Sequence, residues 1–129
     1  MLRILVADDH EAVRKGICAI LSTRPDVEQC HEAANGLEAI EKARELKPDL
    51  IILDVTMPVM SGLMVARTLV KELPESLIVL LSMHEGKQVV EQAKSIGIRG
   101  YVSKADAGSK LLAAVDAVLG NQTFFPFFP

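Results

Sequence analysis

The feature that most constrains the fold is an unbroken apolar run at residues 50–53, which ends in Asp54 and is followed by a loop containing Pro58. Four branched apolar residues in succession are typical of a strand buried on both faces, as in the centre of a parallel sheet. Asp54 would then lie at the carboxyl end of that strand, where open α/β sheets bind ligands. Because aspartate also tightens loops, its position alone leaves a chemical and a structural interpretation open.

Strand-like and helix-like segments alternate along the whole chain. The predicted strands are residues 2–7, 27–33, 50–54, 77–82 and 99–103, and the predicted helices are 11–24, 37–46, 63–73, 86–96 and 107–120. This alternation favours right-handed βαβ crossovers and a parallel sheet covered on both faces. Polar side chains make 27–33 an edge strand, and the short strand 99–103 is placed opposite. The predicted fold is α/β, a flavodoxin-like doubly wound (βα)5 sandwich with strand order 2-1-3-4-5.

Composition limits the class of protein. A chain of 129 residues that is 50% apolar and 24% charged is typical of one globular domain. A net charge of -3 with scattered basic residues excludes a concentrated nucleic-acid-binding patch. With no apolar run near the roughly 20 residues of a membrane span and no signal peptide, we expect a cytoplasmic protein without membrane contact. Cys18 and Cys30 lack zinc-site spacing, so we expect buried free thiols.

The C-terminal segment belongs to no βα unit. It contains all four phenylalanines of the chain. We therefore expect a domain at residues 1–121, followed at 122–129 by a linker or truncated tail. Docking of this segment onto a partner is a second interpretation that the sequence leaves open.

Polar groups follow four of the predicted strands at the same edge of the sheet. They are Asp8 and Asp9 after the first strand, then Asp54, Ser82 and Lys104. At an effective dielectric constant near 20, two unit charges about 4 Å apart interact with roughly 4 kcal/mol, so three clustered carboxylates need cations. Lys104 supplies one, and Mg²⁺, which binds carboxylates while keeping several waters, is the natural second.

This arrangement favours phosphoryl chemistry at Asp54. Carboxylates form aspartyl-phosphate intermediates, and positioning and electrostatics provide most of the catalysis of phosphoryl transfer. Lys104 would contact one phosphoryl oxygen as a point charge. Ser82 would donate a hydrogen bond to another.

The same residues resemble the receiver domain of two-component response regulators. The resemblance covers residues 1 to about 121 and rests on Asp8-Asp9, on residues 54–58 with Gly62, and on Ser82, Tyr101 and Lys104. Residues 7–10, 81–84 and 100–104 further resemble the subclass in which a LuxR-type helix-turn-helix follows the receiver. No such effector domain is present in this chain.

The resemblance implies a regulatory phosphoacceptor rather than an enzyme that turns over free substrates. A partner histidine kinase would phosphorylate Asp54, followed by slow self-dephosphorylation. Mg²⁺, or Mn²⁺ in its place, would be held by Asp8, Asp9, Asp54 and the Thr56 carbonyl. The output would be transcriptional, reaching DNA only through an effector domain outside this chain.

The family also implies switch and tuning residues. Ser82 would move toward the phosphoryl group while Tyr101 turns inward, although Tyr101 could instead be a half-buried edge residue. Thr56 and His84 would flank the phosphoryl group and tune the attack of water, although a plain exposed loop residue is the favoured interpretation of His84. Met83 departs from the family, because many receivers have a small residue there, and we expect it to narrow access to Asp54.

Three other functions share parts of this pattern. A flavodoxin-like cofactor binder needs a phosphate-cradling loop after the first strand, where this chain has acidic residues. An aspartate-nucleophile phosphatase needs a second carboxylate two positions after the first, where this chain has Thr56. A receiver-like interaction module that never accepts phosphate stays open. The face used by a phosphorylation-dependent homodimer or by an effector domain is also open, and the candidates are the first and last helices or residues 87–119.

Overall fold

Five parallel strands form the central sheet. The computed structural model describes residues 1–83 and 86–126, and its strands are β1 (Leu2–Ala7), β2 (Val27–Ala33), β3 (Leu50–Asp54), β4 (Leu77–Ser82) and β5 (Gly100–Ser103). Their order is β2-β1-β3-β4-β5, which confirms the predicted topology. The helices are α1 (Glu11–Leu21), α2 (Gly36–Leu46), α3 (Gly62–Glu72), α4 (Lys87–Ile96) and α5 (Ala107–Leu119).

The sheet buries apolar side chains on both faces. Alternate residues of β3 enter different clusters, with Ile51 and Leu53 facing α2, α3 and α4, and Leu50 and Ile52 facing α1 and α5. This alternation follows from the two-residue period of a strand. All five residues of β3 are buried, so the apolar run does form the centre of the sheet.

The two edge strands differ in how their outer sides are covered. β2 is the polar edge that the sequence predicts, and only Ala33 of its seven residues is fully buried. All four residues of β5 are buried, and Phe124 pairs with Gly100 as an isolated parallel bridge on its outer side. The interpretation of residues 122–129 as a linker or tail stays a prediction, and residues 127–129 lie outside the described part.

The expectation that both cysteines are free thiols is wrong. Cys18 in α1 and Cys30 in β2 form a disulfide, with their Cα atoms 5.8 Å apart. Both residues are partly buried against the cluster on the α1 and α5 face. The crossover from α1 to β2 brings them together, and a separation of 12 in the sequence does not reveal this contact.

Helix ends depart slightly from the sequence prediction. α1 stops at Leu21 rather than residue 24, because Thr23 and Arg24 make tight backbone turns onto Ile20 and Leu21. One turn of 3-10 helix, Lys104–Asp106, leads from β5 into α5. Within the described chain, no helix is both long enough and apolar enough to cross a membrane.

Candidate functional site

The carboxyl ends of β1, β3 and β5 bring Asp8, Asp54 and Lys104 into contact. The Nζ atom of Lys104 lies 2.7 Å from Asp8 Oδ2 and 3.2 Å from Asp54 Oδ2. The side chains of Asp8, Asp54 and Lys104 are 0%, 2% and 11% exposed, respectively. Residues separated by almost a hundred positions therefore converge at the edge that the sequence predicts.

Two buried carboxylate oxygens at this site have no hydrogen bond of good geometry among the described residues. They are Asp8 Oδ2 and Asp54 Oδ2, the two atoms that approach Lys104. The contacts with the ammonium group are therefore ion pairs by distance, without the angles of a hydrogen bond. Buried acceptors left in this state carry a desolvation cost, which a further donor or a cation would offset.

Charge at the site is unbalanced, and the pKa values show it. Burial, followed by the negative charge of Asp8, raises the pKa of Asp54 above its ordinary value, and the contact with Lys104 only partly opposes this. Burial works to lower the pKa of Lys104, but its contacts with Asp8 and Asp54 outweigh burial and raise it. Lys104 therefore stays charged, while Asp54 is harder to ionise than a free aspartate.

Asp9 and His10 extend the cluster toward solvent. Ligand atoms of Asp8, Asp9, His10 and Asp54 all lie within 4.8 Å of one another. His10 Nδ1 is 3.2 Å from Asp8 Oδ1 and 3.1 Å from Asp9 Oδ1. His10 is not among the predicted site residues, although its place directly after the acidic pair is a usable signal.

The donor set fits a hard divalent cation. Carboxylate oxygens are the ligands that Mg²⁺ prefers, and Asp8 and Asp54 each provide a buried oxygen without a hydrogen bond, within a cluster that also includes Asp9. The contact recorded for Thr56 is its backbone N–H, which donates to Asp54 Oδ1 at 3.3 Å. Its carbonyl as a metal ligand stays a prediction.

The start of α3 packs directly on the backbone of Asp54. The Gly62 N–H donates to the Val55 carbonyl at 2.8 Å. A Cβ atom at position 62 would collide with the Asp54 carbonyl oxygen and lie 2.8 Å from the Asp54 carbonyl carbon. In the preceding loop Val59 has a φ of 72° and is 84% exposed, a strained backbone for a β-branched residue.

The remaining predicted residues lie at different depths. Ser82 is buried at the end of β4, and Met83, directly after it, is 67% exposed. Tyr101 in β5 is 1% exposed, so the interpretation of a half-buried edge residue is wrong. Thr56 is exposed, and His84 lies outside the described residues. Strand placement brings Ser82 to the same edge as Asp54, but the roles of these residues remain predictions.

The family model for the response regulator receiver domain matches residues 4–116. The chain belongs to the response regulator receiver domain family. A receiver is a regulatory domain of two-component signalling, so the predicted family is confirmed. Membership explains why charged groups of distant strands meet at a single edge of the sheet.

Curated relatives of this receiver are longer response regulators. The chain is 36% identical over 124 residues to the response regulator protein VraR of Staphylococcus saprophyticus, and 37% identical to that of Staphylococcus epidermidis. Each alignment covers 96% of this chain and 59% of the relative, so the chain spans well under two thirds of their length.

Solved structures agree on the fold. A LuxR-family two-component response regulator from Aurantimonas sp. SI85-9A1 superposes with a TM-score of 0.91 at 30% sequence identity. The match covers 97% of this chain and 89% of that one. The flavodoxin-like receiver fold is thus shared along nearly the whole described chain.

Proposed function

We propose that this receiver is a phosphorylation-dependent switch in which Asp54 accepts a phosphoryl group from a partner histidine kinase. The observation that carries the proposal is the buried Asp54 carboxylate at a strand end, with its Oδ2 atom short of a hydrogen bond and 3.2 Å from Lys104. A carboxylate held in this way keeps an acceptor oxygen available for a new bond and lies next to a positive charge.

The reaction forms one bond and breaks another. A carboxylate oxygen of Asp54 attacks phosphorus in line with the phosphorus–nitrogen bond of a phosphohistidine on the kinase. That bond breaks, its electron pair returns to the imidazole nitrogen, and the product is an acyl phosphate on Asp54. In the slower self-dephosphorylation, water attacks the same phosphorus, the bond from phosphorus to the Asp54 oxygen breaks, and its electron pair returns to the Asp54 carboxylate as inorganic phosphate leaves.

Side chains of the receiver manage the charge that this reaction creates. Lys104, already within ion-pair distance of Asp54, would follow the negative charge onto a phosphoryl oxygen. Ser82, from the neighbouring strand end, would donate a hydrogen bond to another oxygen. Asp8, Asp9 and Asp54, with the Thr56 carbonyl, would hold Mg²⁺ or Mn²⁺, which when bound neutralises phosphoryl charge and orients the transfer.

The signal would leave the site through β4 and β5. Movement of Ser82 toward the phosphoryl group would be matched by the inward position of Tyr101, which is already buried in this structure. Thr56, His84 and the exposed Met83 would set how easily water and donors reach Asp54. Unchanged phosphorylation and dephosphorylation rates in Met83→Ala would remove Met83 from this group.

The output of the switch would be transcriptional. The Aurantimonas protein is described as a LuxR-family response regulator, and the VraR relatives extend beyond the aligned region. We infer that DNA is reached through an effector domain that is not in this chain, and that phosphorylation promotes a homodimer. Sizing the protein with and without beryllofluoride tests the second inference, and an unchanged mass would contradict it.

Labelling with acetyl phosphate tests the central proposal. With Mg²⁺ present, we expect one phosphoryl group per chain and none in Asp54→Asn. Asp116→Asn, at the opposite end of the sheet, is the matched control and should be labelled normally. Persistent labelling of Asp54→Asn would move the phosphoacceptor elsewhere, and unlabelled wild-type protein would favour the interaction module that never accepts phosphate.

A further inference from the structure

Phe124 pairs with the outer edge of β5 at a single bridge. The Tyr101 N–H donates to the Phe124 carbonyl at 2.8 Å, and the Phe124 N–H donates to the Arg99 carbonyl at 3.0 Å. These two bonds make the parallel bridge between Gly100 and Phe124. The segment at residues 123–126 therefore lies against the edge of β5 and is fixed there by this bridge.

Successive phenylalanines of this segment reach opposite faces of the sheet. Phe124 packs against the apolar cluster on the α1 and α5 face, and Phe125 packs against the cluster on the α2, α3 and α4 face. Such alternation is the two-residue period of a strand. The ammonium group of Lys94 in α4 lies 5.1 Å from the centre of the Phe125 ring, which adds a cation–π contact.

The segment also borders the predicted switch residue. A cavity of about 180 Å³ is lined by Tyr101 together with Phe124, Phe125 and Pro126. Tyr101 belongs to the same buried cluster that Phe125 covers. Tyr101 is thus buried next to this segment, at an edge of the sheet that no βα unit covers.

We propose that the outer edge of β5 is a docking edge for an extended aromatic segment, and that residues 123–126 of this chain are its occupant. This segment, hereafter the clasp, binds better when Tyr101 is buried. If phosphorylation of Asp54 favours the buried position of Tyr101, it also strengthens binding of the clasp to β5. Because binding equilibria are reciprocal, the docked clasp then raises the affinity of the Asp54 site for a phosphoryl mimic. The coupling rests on the proposed function, whereas the docking does not.

Amide hydrogen exchange of the full chain, measured residue by residue by NMR, tests the docking. In Phe124→Ala/Phe125→Ala we expect exchange of the Tyr101 amide to rise about tenfold or more, because its acceptor opens locally, while Leu80 in β4 changes little. Leu37→Ala removes a half-exposed apolar side chain from α2 and should leave both amides unchanged. Equal acceleration at Tyr101 and Leu80 would overturn the proposal, since the segment would then support the whole fold.

Beryllofluoride with Mg²⁺ tests the coupling. A bound fluorine signal that disappears in Asp54→Asn establishes that the site is loaded, which checks the proposed function separately. On loading we expect slower exchange of the Tyr101 amide, and about fivefold weaker beryllofluoride binding in the clasp variant than in Leu37→Ala. A loaded site with unchanged Tyr101 exchange and unchanged affinity would overturn the coupling and leave phosphoacceptance intact.

Discussion

The amino and carboxyl ends of the sheet differ in how their carboxylates are paired with basic side chains. At the amino end, Arg24 contacts both Asp26 and Asp116, and Arg44 holds Glu72 through two hydrogen bonds of 2.7 and 2.8 Å. At the carboxyl end, the carboxylates of Asp8 and Asp54 share the ammonium of Lys104, and Asp9 belongs to the same acidic cluster. The charges at the amino end are paired one to one or two to one with arginines, whereas at the carboxyl end two buried carboxylate oxygens lack a hydrogen bond among the described residues.

The pKa values express the same difference. The hydrogen bond from Arg24 lowers the pKa of Asp26, and that from Arg44 lowers the pKa of Glu72. Burial and Asp8 raise the pKa of Asp54. Ion pairs at the amino end therefore favour the folded state, while the ionised Asp54 opposes it in the absence of a ligand.

Lys104→Ala is expected to have the largest effect. Removing the ammonium leaves Asp8 and Asp54 facing each other in a buried pocket, and the free energy of unfolding in EDTA should fall by about 3 kcal/mol. Urea denaturation measures this. The control is Lys110→Ala, which loses an exposed ion pair of 3.6 Å with Asp106 and should cost at most about 0.5 kcal/mol. Equal losses of unfolding free energy in the two variants would mean that Lys104 does not offset a repulsion between the buried carboxylates of Asp8 and Asp54.

Arg24→Ala is the corresponding test at the amino end. The guanidinium is 20% exposed and joins the start of β2 to the end of α5, so we expect a loss of about 1.5 kcal/mol. Arg24→Lys should recover only part of this, because lysine lacks the planar fork that contacts both oxygens of Asp26. Full recovery by lysine would reduce the contact to simple charge attraction.

Asp54→Asn should act in the opposite direction. Under the proposed function the substitution should abolish phosphorylation, yet in EDTA it removes an unfavourable buried charge, so the free energy of unfolding should rise by about 1 kcal/mol at pH 7. Thermal and urea unfolding both report it. A destabilised Asp54→Asn protein would show that the ion pair with Lys104 outweighs burial, and the contrast between the two ends would fail.

The smallest expected effect is a difference between the two ends of the sheet in how their carboxylates make stability depend on pH. The raised pKa of Asp54 means that its folded form binds a proton more tightly than the unfolded chain, so this stability is lost as pH rises through the folded pKa. The lowered pKa of Asp26 gives stability that is lost as pH falls. The gain in Asp54→Asn should therefore shrink as pH falls through the raised folded pKa of Asp54, whereas the loss in Asp26→Asn should persist down to the ordinary aspartate pKa of 3.8 and shrink only below it. Urea titrations in EDTA at several pH values would show this, and a pH-independent gain in Asp54→Asn would contradict it.

The charged cluster at the carboxyl edge of the sheet could be predicted from the sequence, because the ends of strands are marked by local sequence features. Residues 50–54 reveal a buried strand that stops at a carboxylate, and topology alone then places Asp8, Asp54 and Lys104 at one edge. The polar β2 edge was predictable in the same way, from residues that do not fit a buried strand.

The features that the sequence did not reveal depend on contacts between distant side chains. The Cys18–Cys30 disulfide and the contact of Arg24 with Asp116 depend on how helices lie across the sheet. The bridge from Phe124 to β5 depends on an open edge that exists only after the sheet has formed. No periodicity or motif in the chain specifies such pairings in advance.

Position 62 shows how a receiver can be lost without touching its charged groups. The first turn of α3 rests against the Asp54 carbonyl because Gly62 has no side chain there. A methyl group at this position would push α3 away from the end of β3 and shift Asp54 relative to Lys104. Every acidic and basic residue would still be present. A comparison of charged residues alone would therefore not detect this change. The absence of a side chain at position 62 matters to the geometry of the site as the carboxylates do.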